Sequence, residues 1–63
     1  MAKLTYKFSI FFCMKEDITK EYYFGDFEII APSECNAISR IALICNGLML
    51  VNTDCIYYYK IVC

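Results

Sequence analysis

Hydrophobic and polar residues alternate most cleanly between Leu4 and Met14. Leu4, Tyr6, Phe8, Ile10, Phe12 and Met14 share one parity, and Thr5, Lys7 and Ser9 share the other. Successive side chains of a strand point to opposite faces, so this stretch predicts a half-buried β-strand. The charged run Lys15-Glu16-Asp17-Ile18-Thr19-Lys20 then reads as a hairpin connection. β-prone sequence resumes at Tyr22-Tyr23-Phe24, and the apolar parity slips from Tyr22 and Phe24 to Phe27 and Ile29 across Gly25-Asp26. A β-bulge at that dipeptide accounts for the slip. A tight turn is the alternative, at the cost of two very short strands.

Ala31-Pro32-Ser33 closes the second strand, because proline cannot donate to a ladder and biases Ala31 toward extended backbone. Ser33 is placed to cap a helix, with Glu34 favourable in its first turn. From there Cys35, Ile38, Ile41, Ala42, Cys45 and Leu48 follow the helical period, with Asn36, Ser39 and Arg40 opposite. Asn46-Gly47 is the expected C-cap. Leu48 to Val51 is open between helix tail, loop and short strand. Asn52-Thr53-Asp54 is turn material, and Cys55 to Val62 predicts the last strand.

The order strand, strand, helix, strand predicts an α+β fold: a small β-β-α-β domain spanning residues 1–63. The first two strands pair as a hairpin, and a right-handed crossover places the last strand beside the first. The sheet is then three-stranded and antiparallel, with the first strand central and the helix packed on one face. That helix is expected to cover Leu4, Tyr6, Phe8, Ile10 and Phe12. Thr5, Lys7, Ser9, Phe11 and Cys13, with Ile56, Tyr58, Lys60 and Val62, are left on a face that nothing in the chain covers.

Composition sharpens this picture. The chain has 63 residues, of which 60% are hydrophobic and 17% aromatic, more apolar material than so small an interior can hide. Eleven residues of strand span about 36 Å, against a radius of gyration of about 11 Å for a compact chain of this length. The first observation suggests an oligomer or partner-binder, and the second suggests either a second subunit or a strongly twisted hairpin. A homodimer, formed through the open face or a free sheet edge, is the expectation, and a long twisted monomeric hairpin is the alternative. Phe11, Ile56, Tyr58 and Val62 are the candidate interface residues.

Charge and chemistry exclude more than they assign. The net charge is −1 and the basic residues are scattered, whereas nucleic-acid binding calls for a basic stripe. Five cysteines without a secretion signal read as reduced thiols, most of them buried, with Cys35 on the core side of the helix. There is no His and no Cys-x-x-Cys pair, so neither metal nor cofactor is expected. The charge-free run Ile41 to Thr53 is shorter than the about 20 apolar residues of a membrane span, which predicts a soluble, cytoplasmic chain. Enzyme chemistry finds no histidine base and no glycine-rich phosphate loop.

The acids are unevenly spread: Glu16, Asp17, Glu21, Asp26, Glu28 and Glu34 stand against Lys20 alone in that stretch. An acidic edge can steer a small protein to a basic groove on a larger one. Glu16, Asp17 and Glu21 are therefore candidate partner-binding residues, with Tyr23 or Phe24 as an aromatic anchor. The strand, Ala-Pro-Ser and helix of Phe27 to Ala42 resemble in outline the small strand-strand-helix-strand proteins encoded by bacteriophages. Some of these bind host RNA polymerase and others block host defence systems. The resemblance implies an inhibitor that acts by binding a larger host protein. A small structural subunit or dimerisation module is the alternative, and a small enzyme the third reading.

Overall fold

A computed structural model describes residues 3–62 of the chain. Strand β1 (Leu4–Met14) lies between β2 (Asp17–Ala31) and β3 (Cys55–Val62), antiparallel to both, and helix α1 (Glu34–Val51) crosses one face. This is the α+β fold of β-β-α-β order that the alternation predicts.

The helix begins where the capping chemistry places it. Ser33 is extended, with φ −150° and ψ 161°, and its Oγ accepts the Asn36 N–H at 3.2 Å. Ala31 and Ala37, on either side of Pro32, are fully buried. The chain turns from sheet to helix there, and only small side chains allow so close an approach. Arg40 Nη1 donates to the Ile30 carbonyl at 2.8 Å and ties the helix to β2.

Phe8 and Ile10 from β1, Ala37, Ile41 and Cys45 from α1, and Tyr57 from β3 form the core. Ile38, Ile44, Leu48 and Met49 pack against it. Burial pushes the Cys45 thiol pKa up. At this end of the sheet Phe24 stacks on Phe27 and meets Phe12 and Tyr57 edge-on, extending the apolar layer beyond the helix.

Several local expectations are corrected. The hairpin connection is only Lys15-Glu16, and β2 begins at Asp17. Among the described residues no non-glycine has positive φ, so the turn lacks the left-handed backbone that holds two-residue hairpins tight. The ladder is accordingly irregular: Met14 pairs with Asp17, and regular pairing resumes only at Phe12 with Tyr22. The bulge is real but sits one residue early. Ile10 pairs with Gly25 and Phe11 with Tyr23, so Phe24 is the extra residue, drawn to the helix side by the aromatic cluster.

The helix differs from expectation as well. It runs through Asn46-Gly47 to a cap at Asn52, whose N–H reaches the Leu48 carbonyl at 2.8 Å. Leu48 to Val51 is therefore its tail. Cys35 is exposed rather than in the core, while Ala37 takes the buried position. Leu4, paired with Ala31 at the end of the sheet, is not covered as expected and is 55% exposed. With 18 residues and a mean hydropathy of 1.3, α1 is long and apolar enough to cross a membrane by length and composition alone. Only 17% of α1 is buried inside the fold, its buried residues being Ala37, Ile41 and Cys45.

Candidate functional site

The face of the sheet opposite α1 is uncovered among the described residues. Pairing sets its residues in rows across β2, β1 and β3. Glu28, Lys7 and Val62 share one row; Asp26, Ser9 and Lys60 the next; Tyr23, Phe11 and Tyr58 the third; and Cys13 with Ile56 the fourth. The four residues expected at a dimer interface, Phe11, Ile56, Tyr58 and Val62, are thus brought onto one face.

Phe11 is the centre. Its ring meets Tyr23 edge-on at 5.7 Å and stacks with Tyr58 at 6.2 Å. Lys60 Nζ sits 4.5 Å from the Phe11 centroid, within cation–π range. Two carboxylates anchor this arrangement. Glu21 accepts the Tyr58 hydroxyl and the Lys60 ammonium, the latter at 3.1 Å. Asp26 accepts the Ser9 hydroxyl at 2.7 Å, and the nearby Tyr23 hydroxyl also favours its ionised form. Ser9 is buried, and Asp26 satisfies it.

These bonds stabilise the ionised acids and the neutral phenols. Tyr58 and then Lys60 lower the pKa of Glu21, and Ser9 and then Tyr23 lower that of Asp26. Conversely, the bond to Glu21 pushes Tyr58 up to about 12, and Asp26 raises Tyr23. A general acid at neutral pH needs the opposite shift, a carboxyl raised toward neutrality.

The five residues expected to bind a partner do not form one surface. Glu21 and Tyr23 belong to the open face. Phe24, 43% exposed, joins the aromatic layer on the helix side. Glu16 and Asp17 lie at the hairpin tip, where Asp17 Oδ1 accepts from Thr19. The rows that link Ser9, Asp26 and Lys60 were missed, although the parity of Ser9 and Lys60 was visible. Their meeting depends on where the bulge falls, one residue from its expected place.

Among the described residues Cys13, Cys35, Cys45 and Cys55 are free thiols, and no cluster of His, Cys, Asp and Glu could hold a metal. Cys63 lies outside the described residues. Comparison with protein families, with curated proteins and with solved structures gives no match.

Proposed function

We propose that this chain is a small non-enzymatic protein-binding module and that it acts as an inhibitor, occupying a larger protein of a bacterial host. The observation that supports protein binding is the row Tyr23, Phe11 and Tyr58 on a sheet face with no cover. Contiguous exposed apolar surface rimmed by polar groups is the usual mark of an interface, and tyrosines and arginines dominate interface energetics. Neither Glu21 nor Asp26 is shifted toward the neutral form that a general acid needs. The host-inhibitor role rests on the outline resemblance to phage proteins and on the acidic stretch.

Two surfaces are open to partners. One is the open face. The other is the first half of β2, where Asp17 and Glu16 flank an exposed hairpin tip and Ile18, Tyr22 and Phe24 are 70%, 44% and 43% exposed. Affinity capture from bacterial lysate, followed by kinetics on the captured protein, tests the reading. Glu16→Lys with Asp17→Lys should slow association at low salt, since rim charges act mainly on the on-rate. Phe24→Ala or Tyr23→Ala should speed dissociation, at a cost of about 2 kcal/mol where the ring is an anchor. A wild-type protein that captures no larger protein overturns the inhibitor reading. Capture indifferent to both sets of changes shows that neither surface binds it. The dimerisation-module reading is favoured by a separate observation, the near balance of charge on the open face.

A further inference from the structure

Charge on the open face is divided by strand. Glu28, Asp26 and Glu21 stand on β2, while Lys7 stands on β1 and Lys60 on β3. Lys7 pairs with Glu28 at 3.9 Å and Lys60 with Glu21 at 3.1 Å. Asp26 has no cation of its own among the described residues; its hydrogen-bond partner is the hydroxyl of Ser9. The face therefore has three acids on one flank, Lys7 on the central strand and Lys60 on the other flank, with the row Tyr23, Phe11 and Tyr58 crossing all three strands.

From this division we propose that the partner of the open face is a second copy of this chain, packed face to face about a two-fold axis that runs parallel to β1. The proposal rests on the reading of this face as a protein-binding surface. Such an axis keeps each row in place and exchanges the flanks. Phe11 then stacks over its own copy, Tyr23 lies over Tyr58 of the second copy, Asp26 faces Lys60 of the second copy, and Lys7, paired with Glu28 within its own chain, lies over its own copy. The lone acid on each copy gains the cation it lacks. A two-fold axis running across the strands would instead lay β2 on β2, placing Glu28, Asp26 and Glu21 against the same acids. Like charges brought together in an interface cost several kcal/mol; the axis along β1 opposes only Lys7 to Lys7, each beside its own Glu28, so it is the favoured one.

Size and shape agree. The molecule measures 45 × 22 × 15 Å, and a face bounded by the two longer dimensions is wide enough to bury roughly 800 Å² per subunit, the burial of a standard stable interface. The chain exposes 4567 Å², against about 4200 Å² for an average compact monomer of its mass. Facing sheets pack with their strands within about 30° of each other. The rows of Ser9 and Phe11 lie near mid-strand, where that angle displaces opposed residues least. A polyanion is a poorer occupant, since three acids meet two bases on this face.

The test is sedimentation equilibrium of the full chain, alone and in mixtures. Wild type should sediment at about twice 7.4 kDa. Asp26→Lys sets a new ammonium against Lys60 of the second copy, and Lys60→Glu sets a new carboxylate against Asp26. Each variant alone should therefore dimerise about tenfold or more weakly. Mixed in equal amounts, the two variants should recover the affinity by forming a heterodimer. The ammonium introduced by Asp26→Lys on one subunit then meets the carboxylate introduced by Lys60→Glu on the other. Both side chains are exposed, and circular dichroism on each variant confirms that the fold is kept. A dimer in which mixing gives no recovery overturns the proposed axis. A wild type that stays monomeric at high micromolar concentration overturns the second copy as occupant. If, in that case, Tyr23→Ala and Tyr58→Ala still abolish capture of a larger protein, the face remains a protein-binding surface with a different partner. If they do not, both readings fail.

Discussion

The two faces of this one sheet carry aromatic residues in opposite ways. On the covered face Phe8 and Ile10 are 1% and 0% exposed, and apolar contact with Ala37, Ile41 and Cys45 holds them. On the open face Phe11 is only half-buried, and its neighbours are fixed by polar bonds at their rims. Tyr58 is tied to Glu21, and Lys60 to the same carboxylate. The first arrangement removes apolar surface from water and supplies stability. The second leaves apolar surface in water but limits how its rings can turn. A surface ordered before it meets a partner loses less conformational entropy on binding. The contrast separates what folds this chain from what the chain presents.

The largest effect expected from that contrast is on the covered face. Phe8→Ala should cost about 3–5 kcal/mol. A core in a chain of this length rarely supplies more than about 3–5 kcal/mol in total, so the variant should be largely unfolded at room temperature. Phe11→Ala, three residues along the same strand, loses two aromatic pairs worth about 0.5–1.5 kcal/mol each and should remain folded. Urea unfolding monitored by circular dichroism reads both. Equal losses at the two positions would erase the distinction between the faces.

Much of this contrast was legible in the alternation from Leu4 to Met14, because one parity of that strand is apolar throughout. The open face was legible for the same reason, together with the lack of any second helix. The helix was less so. Apolar residues surround it, including Leu43, Leu50 and Val51, which are 69%, 82% and 80% exposed. Periodicity therefore singled out Cys35 and passed over Ala37, whose small side chain gives no hydrophobic signal but fits the close approach. Ser33 was legible from local chemistry alone. The bulge was misplaced because glycine marks permissive backbone, whereas the aromatic layer decided which residue was extra. At Gly25 an added Cβ would meet only Phe27 at 3.8 Å, an ordinary contact. The anchoring of Tyr23 and Tyr58 depends on cross-strand register, which no local pattern contains.

A smaller effect sharpens the polar side of the comparison. Glu21 and Asp26 have folded pKa values below their ordinary 4.5 and 3.8, so the unfolded chain binds protons first. Their contribution to stability is full above those ordinary values and is lost as pH falls through the lowered folded ones. Tyr58 works in the other direction. Its hydroxyl is raised from 10 to about 12, so its contribution is full below 10 and is lost as pH rises through about 12. Both effects should be modest and weaken in salt, since the groups are solvent-exposed. Glu21→Gln should flatten the urea midpoint against pH at both ends, and so should Asp26→Asn, which at the alkaline end acts through Tyr23. An alkaline limb unchanged in Glu21→Gln would show that Glu21 does not hold Tyr58.

The last and smallest effect is a gain, on the outer side of the helix. Sequence pattern makes Asn46-Gly47 a C-cap, where glycine serves a left-handed residue. In the fold Gly47 has no positive φ and lies four residues before the end of α1. A Cβ added there meets nothing within 4 Å. With neither strain nor space requiring it, Gly47 adds only the entropy of a flexible residue to the unfolded chain and weakens the helix. Gly47→Ala should therefore stabilise the protein by about 0.5–1 kcal/mol, seen as a higher urea midpoint with an unchanged slope. The slope matters, because an altered slope would mean that the compactness of one state had changed. A loss of stability instead would mean that the helix ends at Gly47 in solution. The segment Leu48 to Val51 would then be free of the helix, and Leu48 and Met49 would no longer be held over the covered face. The sign of this one substitution thus decides how far along the sheet that cover extends.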